Sequence, residues 1–319
     1  MSDYDFEPLK GSKARPAHAK NPLGRRPFQD FSTGLKASAK YYVPDDALVT
    51  AMHTAIAVGT PLLLTGEAGT GKTQAAYWAA ETLKLGDVIH FQVKSTSQAR
   101  DLLYSFDTVR YFRDSWPKGN GSPAEPAVND SERMKLYRSK GPLWEAIEAD
   151  CPRVLLIDEI DKAPRDFPND LLHELDQMEI RAVETDEKIM LKDQAHRPLV
   201  FITSNDERRL PEPFLRRCAF HHIEFSADIL AAAISERSKQ GVLPPFGDEF
   251  LKAAVDLFMK IRARELEKKP STGECILWLQ VLVAQYGADE EKLKGPLHKL
   301  PHLSLLLKNR QDRLQVDNL

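Results

Sequence analysis

The chain has 319 residues, of which 42% are hydrophobic and 29% charged, with 44 Lys and Arg against 47 Asp and Glu. This length allows two domains, and the net charge of −3 excludes a field strong enough to make nucleic acid or an anionic membrane the main partner. Cys151, Cys218 and Cys275 are far apart and form no CxxC pair, the start MSDYDFEPLK lacks an apolar core, and no run approaches about 18 apolar residues, so the expectation is a soluble, cytoplasmic protein with no membrane partner.

Residues 1–40 form a basic arm with Lys10, Lys13, Arg15, Lys20, Arg25, Arg26, Lys36 and Lys40, expected to lack a core of its own and to be flexible. Such an arm suits nucleic acid, an acidic partner or plain solvent, and the sequence leaves these open. In the expected nucleotide-binding domain, 41–225, Asp45 or Asp46 caps a helix whose apolar positions Leu48, Ala51, Met52 and Ala55 keep the 3.6 period until Gly59 and Pro61 stop it. A strand follows at 61–65, then a glycine-rich turn, then a helix with Ala76, Ala79, Ala80 and Leu83 on one face. A second strand is expected at 88–93, an amphipathic segment at 99–112, and a mobile loop at 113–133 where Pro, Gly, Asn and Ser break the periodicity. The pattern continues with a helix at 142–149, a strand at 154–157, a helix at 167–178, a hairpin turning near 184–187, and strands at 199–203 and 220–225. Strands alternating with helices predict an α/β fold with a doubly wound parallel sheet. From 226 to 319 only helices are expected, at 228–239, 248–266, 272–286 and 302–316, a small helical domain with the stripe Phe250, Ala254, Leu257, Phe258 and Ile261.

The turn "LLLTGEAGTGKTQAA" fits G-x-x-x-x-G-K-[ST] at Gly66, Gly71, Lys72 and Thr73, with a strand before it and a helix after. The backbone from Gly66 through Glu67, Ala68, Gly69, Thr70, Gly71 and on to Gln74 is expected to wrap the phosphates of ATP. Lys72 reaches the β and γ oxygens and Thr73 holds Mg²⁺. In "RVLLIDEID" an apolar strand delivers Asp158 at its carboxyl end, where it holds Mg²⁺ through water. Glu159 beside it is free to polarise an attacking water, which argues hydrolysis rather than transfer to an acceptor. This acid pair is expected on the strand neighbouring that of the P-loop. The strand of "PLVFITSN" ends at Asn205, which can orient the same water, and "PFLRRCAF" presents Arg216 and Arg217, suited to meet a neighbour's γ-phosphate. His221 and His222 are successive residues of a strand and point to opposite faces, which excludes one shared ion.

P-loop, "LLIDEID", "FITSN" and "LRR", in this order and before a helical region, resemble an AAA+ ATPase. More narrowly, "GPLWEAI", "DEIDKAPRDFPNDLLHEL" and a hairpin before "VFITSN" are similar to the MoxR family. The resemblance implies a P-loop AAA+ sheet followed by an all-helical lid. It implies a homo-oligomeric ring, expected as a hexamer, in which Arg217 or Arg216 of one subunit reaches the nucleotide of the next. It further implies chaperone-like remodelling of a protein partner, often a von Willebrand factor A domain protein. One departure stands out: Gly273, in "PSTGECILWL", occupies about the place of the family's sensor-2 arginine, although Ser271 and Glu274 form a capping box there. An ATP-gated assembly module with slow turnover and, on the basic arm alone, a DNA-directed motor or loader are the competing expectations.

Overall fold

The computed structural model describes residues 34–115 and 130–317. Most of the expected basic arm, 1–33, and residues 116–129 of the expected loop lie outside the described residues. The strands in chain order are β1 (Leu62–Thr65), β2 (Ile89–Gln92), β3 (Tyr104–Phe106), β4 (Arg138–Lys140), β5 (Val154–Asp158), β6 (Glu179–Ala182), β7 (Glu187–Met190), β8 (Leu199–Thr203) and β9 (Ala219–His222). Five of them form one parallel sheet in the order β2-β5-β8-β1-β9. Every residue of β1, β5 and β8 is buried, whereas the edge strands β2 and β9 are half-exposed. Helices cover both faces of a parallel sheet, which is why its inner strands read as unbroken apolar runs.

The chain comprises two compact units. One comprises Pro44–Glu67 and Lys72–Glu224. Its core joins Leu63, Leu155, Ile157, Val200 and Ile202 of the sheet to Trp144 and Ile147 of the helix Pro142–Glu148 and to Phe167 and Phe214. The helix Asp46–Val58 starts where Asp45 Oδ1 accepts from Leu48 N at 2.5 Å and ends at Gly59, whose φ of 74° is the left-handed form glycine adopts freely. The other unit comprises the described part of Met1–Val43, Ala68–Gly71 and Phe225–Leu319. Its helices Ala227–Lys239, Asp248–Arg262 and Thr272–Tyr286 enclose a second core, in which the stripe Phe250, Ala254, Leu257, Phe258 and Ile261 is wholly buried. Leu303, Leu306 and Leu307 belong to the same core.

Several expectations need correction. The segment 99–112 is two helices, Ala99–Leu103 and Thr108–Ser115, split by β3, because Tyr104–Phe106 pairs antiparallel with β4. That pairing joins positions more than 30 apart, so no local period announces it. The described ends of the 113–133 loop are helical, in Thr108–Ser115 and Asp130–Lys135. Residues 34–40, taken as arm, include the helix Leu35–Ser38 and the buried Ala39. The helix expected at 167–178 is two short ones, Phe167–Asp170 and Leu172–Gln177. The last helix starts only at Arg310, after a 3-10 turn at Leu303–Leu305. The acid pair is not on the strand beside the P-loop strand either: β8 lies between β1 and β5.

Candidate nucleotide site

The strand order puts three chain segments side by side at the carboxyl ends of β1, β8 and β5: the P-loop, the turn carrying Asn205, and Asp158–Glu159. Crevices at strand ends are where open α/β sheets take ligands. Gly66, Gly69 and Gly71 have φ values of 141°, 80° and 97°, so the loop is written in backbone that side chains resist. At two of these positions there is also no room for a side chain, since a Cβ on Gly69 would lie 2.2 Å from Ser271 Cβ and one on Gly71 2.9 Å from Tyr42 Cε2. Lys72 folds back into its own loop, donating to Gly66 O at 2.7 Å and to Glu67 O at 2.8 Å. It is 5% exposed, and burial lowers its pKa against the pull of Asp161, Asp158, Asp206 and Glu159. A cation held on carbonyls and partly desolvated is poised for phosphate oxygens.

Asp158 is bonded on both oxygens. Oδ1 accepts from Thr73 Oγ1 at 2.9 Å and from Thr203 Oγ1 at 2.6 Å, and Oδ2 lies 3.3 Å from His90 Nε2. Burial pushes its pKa up, but the hydrogen bonds from His90, Thr203 and Thr73 outweigh burial and hold it below the usual carboxylate range. A Thr hydroxyl and an ionised carboxylate in contact are oxygen donors suited to Mg²⁺, which takes the rest of its shell from phosphate and water. Among the described residues no group of three or more His, Cys, Asp and Glu gathers for a metal, and His221 and His222 diverge, the first lying 3.7 Å from Asp45 and the second 2.7 Å from Thr65 Oγ1.

Glu159 sits in the left-handed region, φ 59° and ψ 52°, with its N–H donating to Thr203 Oγ1 at 2.8 Å. Its Oε1 accepts from Asn205 Nδ2 at 3.2 Å, so the two residues expected to handle the water do meet. Asn205 is placed by Asp161, whose buried Oδ2 accepts from the backbone N–H of Asn205 and of Glu207, both at 3.0 Å. Arg216 and Arg217 stand apart. Arg217 Nε donates to Asp176 Oδ2 at 2.5 Å and Arg216 to Glu212 Oε1 at 2.5 Å, and among the described residues no hydrogen bond or ion pair ties either to Asp158, Glu159 or Lys72.

Five site residues escaped the sequence reading. Thr203 bridges Asp158 and the Glu159 N–H from β8, and Asp161 holds the Asn205 turn. His90 and Gln92 arrive on β2, where Tyr77 OH fixes His90 Nδ1 at 3.1 Å and Gln92 Nε2 donates to Glu159 Oε2 at 2.6 Å. Lys162 pairs with the same oxygen at 2.5 Å. Only Lys162, three residues after Glu159, left a local signal.

The fold is that of a P-loop AAA+ nucleotide-binding domain with a helical region after it. Residues 61–218, just under half of the chain, match the AAA domain of the dynein-related subfamily. No curated protein matches the chain. Among solved structures, a presumed ATPase from Cytophaga hutchinsonii is similar at 14% identity and TM-score 0.40 over 90% of each chain. NtrX from Brucella abortus, solved in complex with ATP, is similar at 14% identity and TM-score 0.44, with 79% of this chain and 55% of that chain covered. Scores this low add nothing to what the site's own geometry supports. No helix among the described residues is long and apolar enough to cross a membrane.

Proposed function

We infer that the protein is a Mg²⁺-dependent ATPase of the AAA+ type. The observation that carries this is the meeting of Glu159 and Asn205 beside a Thr73–Asp158 contact, at the mouth of a P-loop whose lysine is already turned inward. The P-loop backbone binds the β and γ phosphates, and Lys72 offsets their charge. Thr73 and Asp158 hold Mg²⁺, which supplies charge neutralisation for the γ-phosphoryl group when bound. Asn205 orients a water and Glu159 polarises it for in-line attack.

Arg216 and Arg217 complete the reading as residues that act on a neighbouring subunit's nucleotide, which requires a homo-oligomeric ring, hexameric by resemblance. The β6–β7 hairpin just before the Asn205 strand agrees with a MoxR-like arrangement, in which hydrolysis drives remodelling of a protein partner such as a von Willebrand factor A domain protein. A second reading, an assembly module with slow turnover, draws support from Gly273, which brings no side-chain cation to its position, and from the ion pair that already occupies Glu159.

Steady-state turnover of ATP with Mg²⁺ tests the first reading. Wild type is expected to hydrolyse at least ~10²-fold faster than Glu159→Gln, the usual contribution of a positioned base. Equal rates would remove the enzyme reading. Mass measurement with and without ATP and Mg²⁺ tests the ring, and a chain that stays monomeric with nucleotide at micromolar concentration leaves the arginines without a target.

A further inference from the structure

Glu159 is held at more points than a water-activating carboxylate needs. Besides Asn205 on Oε1, its Oε2 accepts from Gln92 Nε2 at 2.6 Å and from Lys162 Nζ at 2.5 Å. The lysine contact follows from the local fold. Residues Ile160–Lys162 form a 3-10 turn, entered from the left-handed Glu159, in which Lys162 N donates to Glu159 O at 3.0 Å. The closed turn of E-x-x-K brings the ammonium within reach of the carboxylate.

An ammonium on Oε2 takes up acceptor capacity of the carboxylate that a water would otherwise use. Lys162 is not trapped in that position, however. Its side chain is 42% exposed, and Glu207 and Asp161 as well as Glu159 favour its charge. The exposed Glu207 lies two residues past Asn205, on the same turn.

We propose that Lys162 is a releasable restraint on Glu159: the ion pair keeps the carboxylate occupied, and water activation requires Lys162 to leave Oε2. The proposal rests on the ATPase reading above. Lys162 acts through Glu159, as a positioning residue with a negative effect on the resting rate, and whatever draws it away accelerates the enzyme.

The test compares wild type, Lys162→Met, Lys162→Arg and Glu159→Gln in single-turnover hydrolysis, with nucleotide affinity followed separately by a fluorescent ATP analogue. Lys162→Met is expected to hydrolyse ~2–5-fold faster at unchanged affinity, the range of a partly exposed ion pair, while Lys162→Arg keeps the charge and stays near wild type. A methionine variant no faster than wild type, or an arginine variant as fast as methionine, overturns the proposal. Wild type no faster than Glu159→Gln would instead end the ATPase reading, and a second measurement then still decides the pair. Acetylation of Lys162, read by mass spectrometry, is expected to be ~2–5-fold slower in wild type than in Glu159→Gln, and equal rates mean that no restraint exists in solution.

Discussion

The carboxylates at the end of β5 and the arginines after the helix Glu212–Leu215 are both charged clusters, and they are built in opposite ways. Asp158 is 5% exposed and every partner it has comes from a different strand or helix of the same chain. Arg216 is 75% exposed and Arg217 43% exposed, each held by one carboxylate and turned to the surface. The difference teaches which charge is committed within the chain and which is left at its surface. Charge that must be oriented to fractions of an ångström is buried and bonded on all sides. Surface ion pairs are worth ~0–1 kcal/mol, little enough that an arginine can exchange its carboxylate for a neighbour's phosphate.

The largest effect should come from breaking the outward-facing half. Of Arg216→Ala and Arg217→Ala, the one that removes the residue reaching a neighbour's γ-phosphate should lose ~10³-fold or more in turnover while keeping nucleotide affinity. If neither variant loses turnover, the two arginines serve only Glu212 and Asp176, and the contrast fails. Next comes the inward half: Asn205→Ala should lower kcat ~10²-fold with little change in KM, as removal of a group that acts on the transition state does. A change confined to KM would mean that Asn205 binds nucleotide rather than orienting water.

A smaller effect tests the buried bonding itself. Thr203→Val keeps shape but strips the hydroxyl that Asp158 and the Glu159 N–H share, and chemical denaturation should register a loss of ~1–3 kcal/mol. A neutral result would show that water replaces the hydroxyl and that the cluster is less enclosed than its burial implies. The smallest effect concerns Cys218, which directly follows Arg217 and whose pKa burial pushes up to about 12. At pH 8 Cys151, on the surface, should react with a thiol reagent well before Cys218, because thiolate rather than thiol attacks. Comparable rates would mean that the arginine turn opens readily, which would bring the two regions closer in character.

Much of the site was legible in the chain because its parts are local. A P-loop is a strand, a turn and a helix in direct succession, and the apolar runs Leu62–Leu64, Val154–Ile157 and Leu199–Ile202 announce buried parallel strands on their own. Two helix starts were nearly as plain, since the cap expected at Asp45 or Asp46, which is Asp45, and the Ser271–Glu274 box each span three residues. Most of the missed site residues, and the missed strand pair, depend on chain far away in sequence. β3 is a strand only because β4 pairs with it, and Gln92 and His90 enter the site only because β2 lies against β5.

The sequence by itself determined which phosphate-binding backbone the protein has, which carboxylates and arginines it can deploy, and that strands and helices alternate up to about residue 225 before helices take over. Tertiary structure decided the strand order, with β8 between β1 and β5, and through it the meetings of Thr73 with Asp158 and of Asn205 with Glu159. Periodicity and capping act over a few residues and are written there. Strand order is set by packing apolar faces from the whole chain into one core, and no short stretch of sequence carries it.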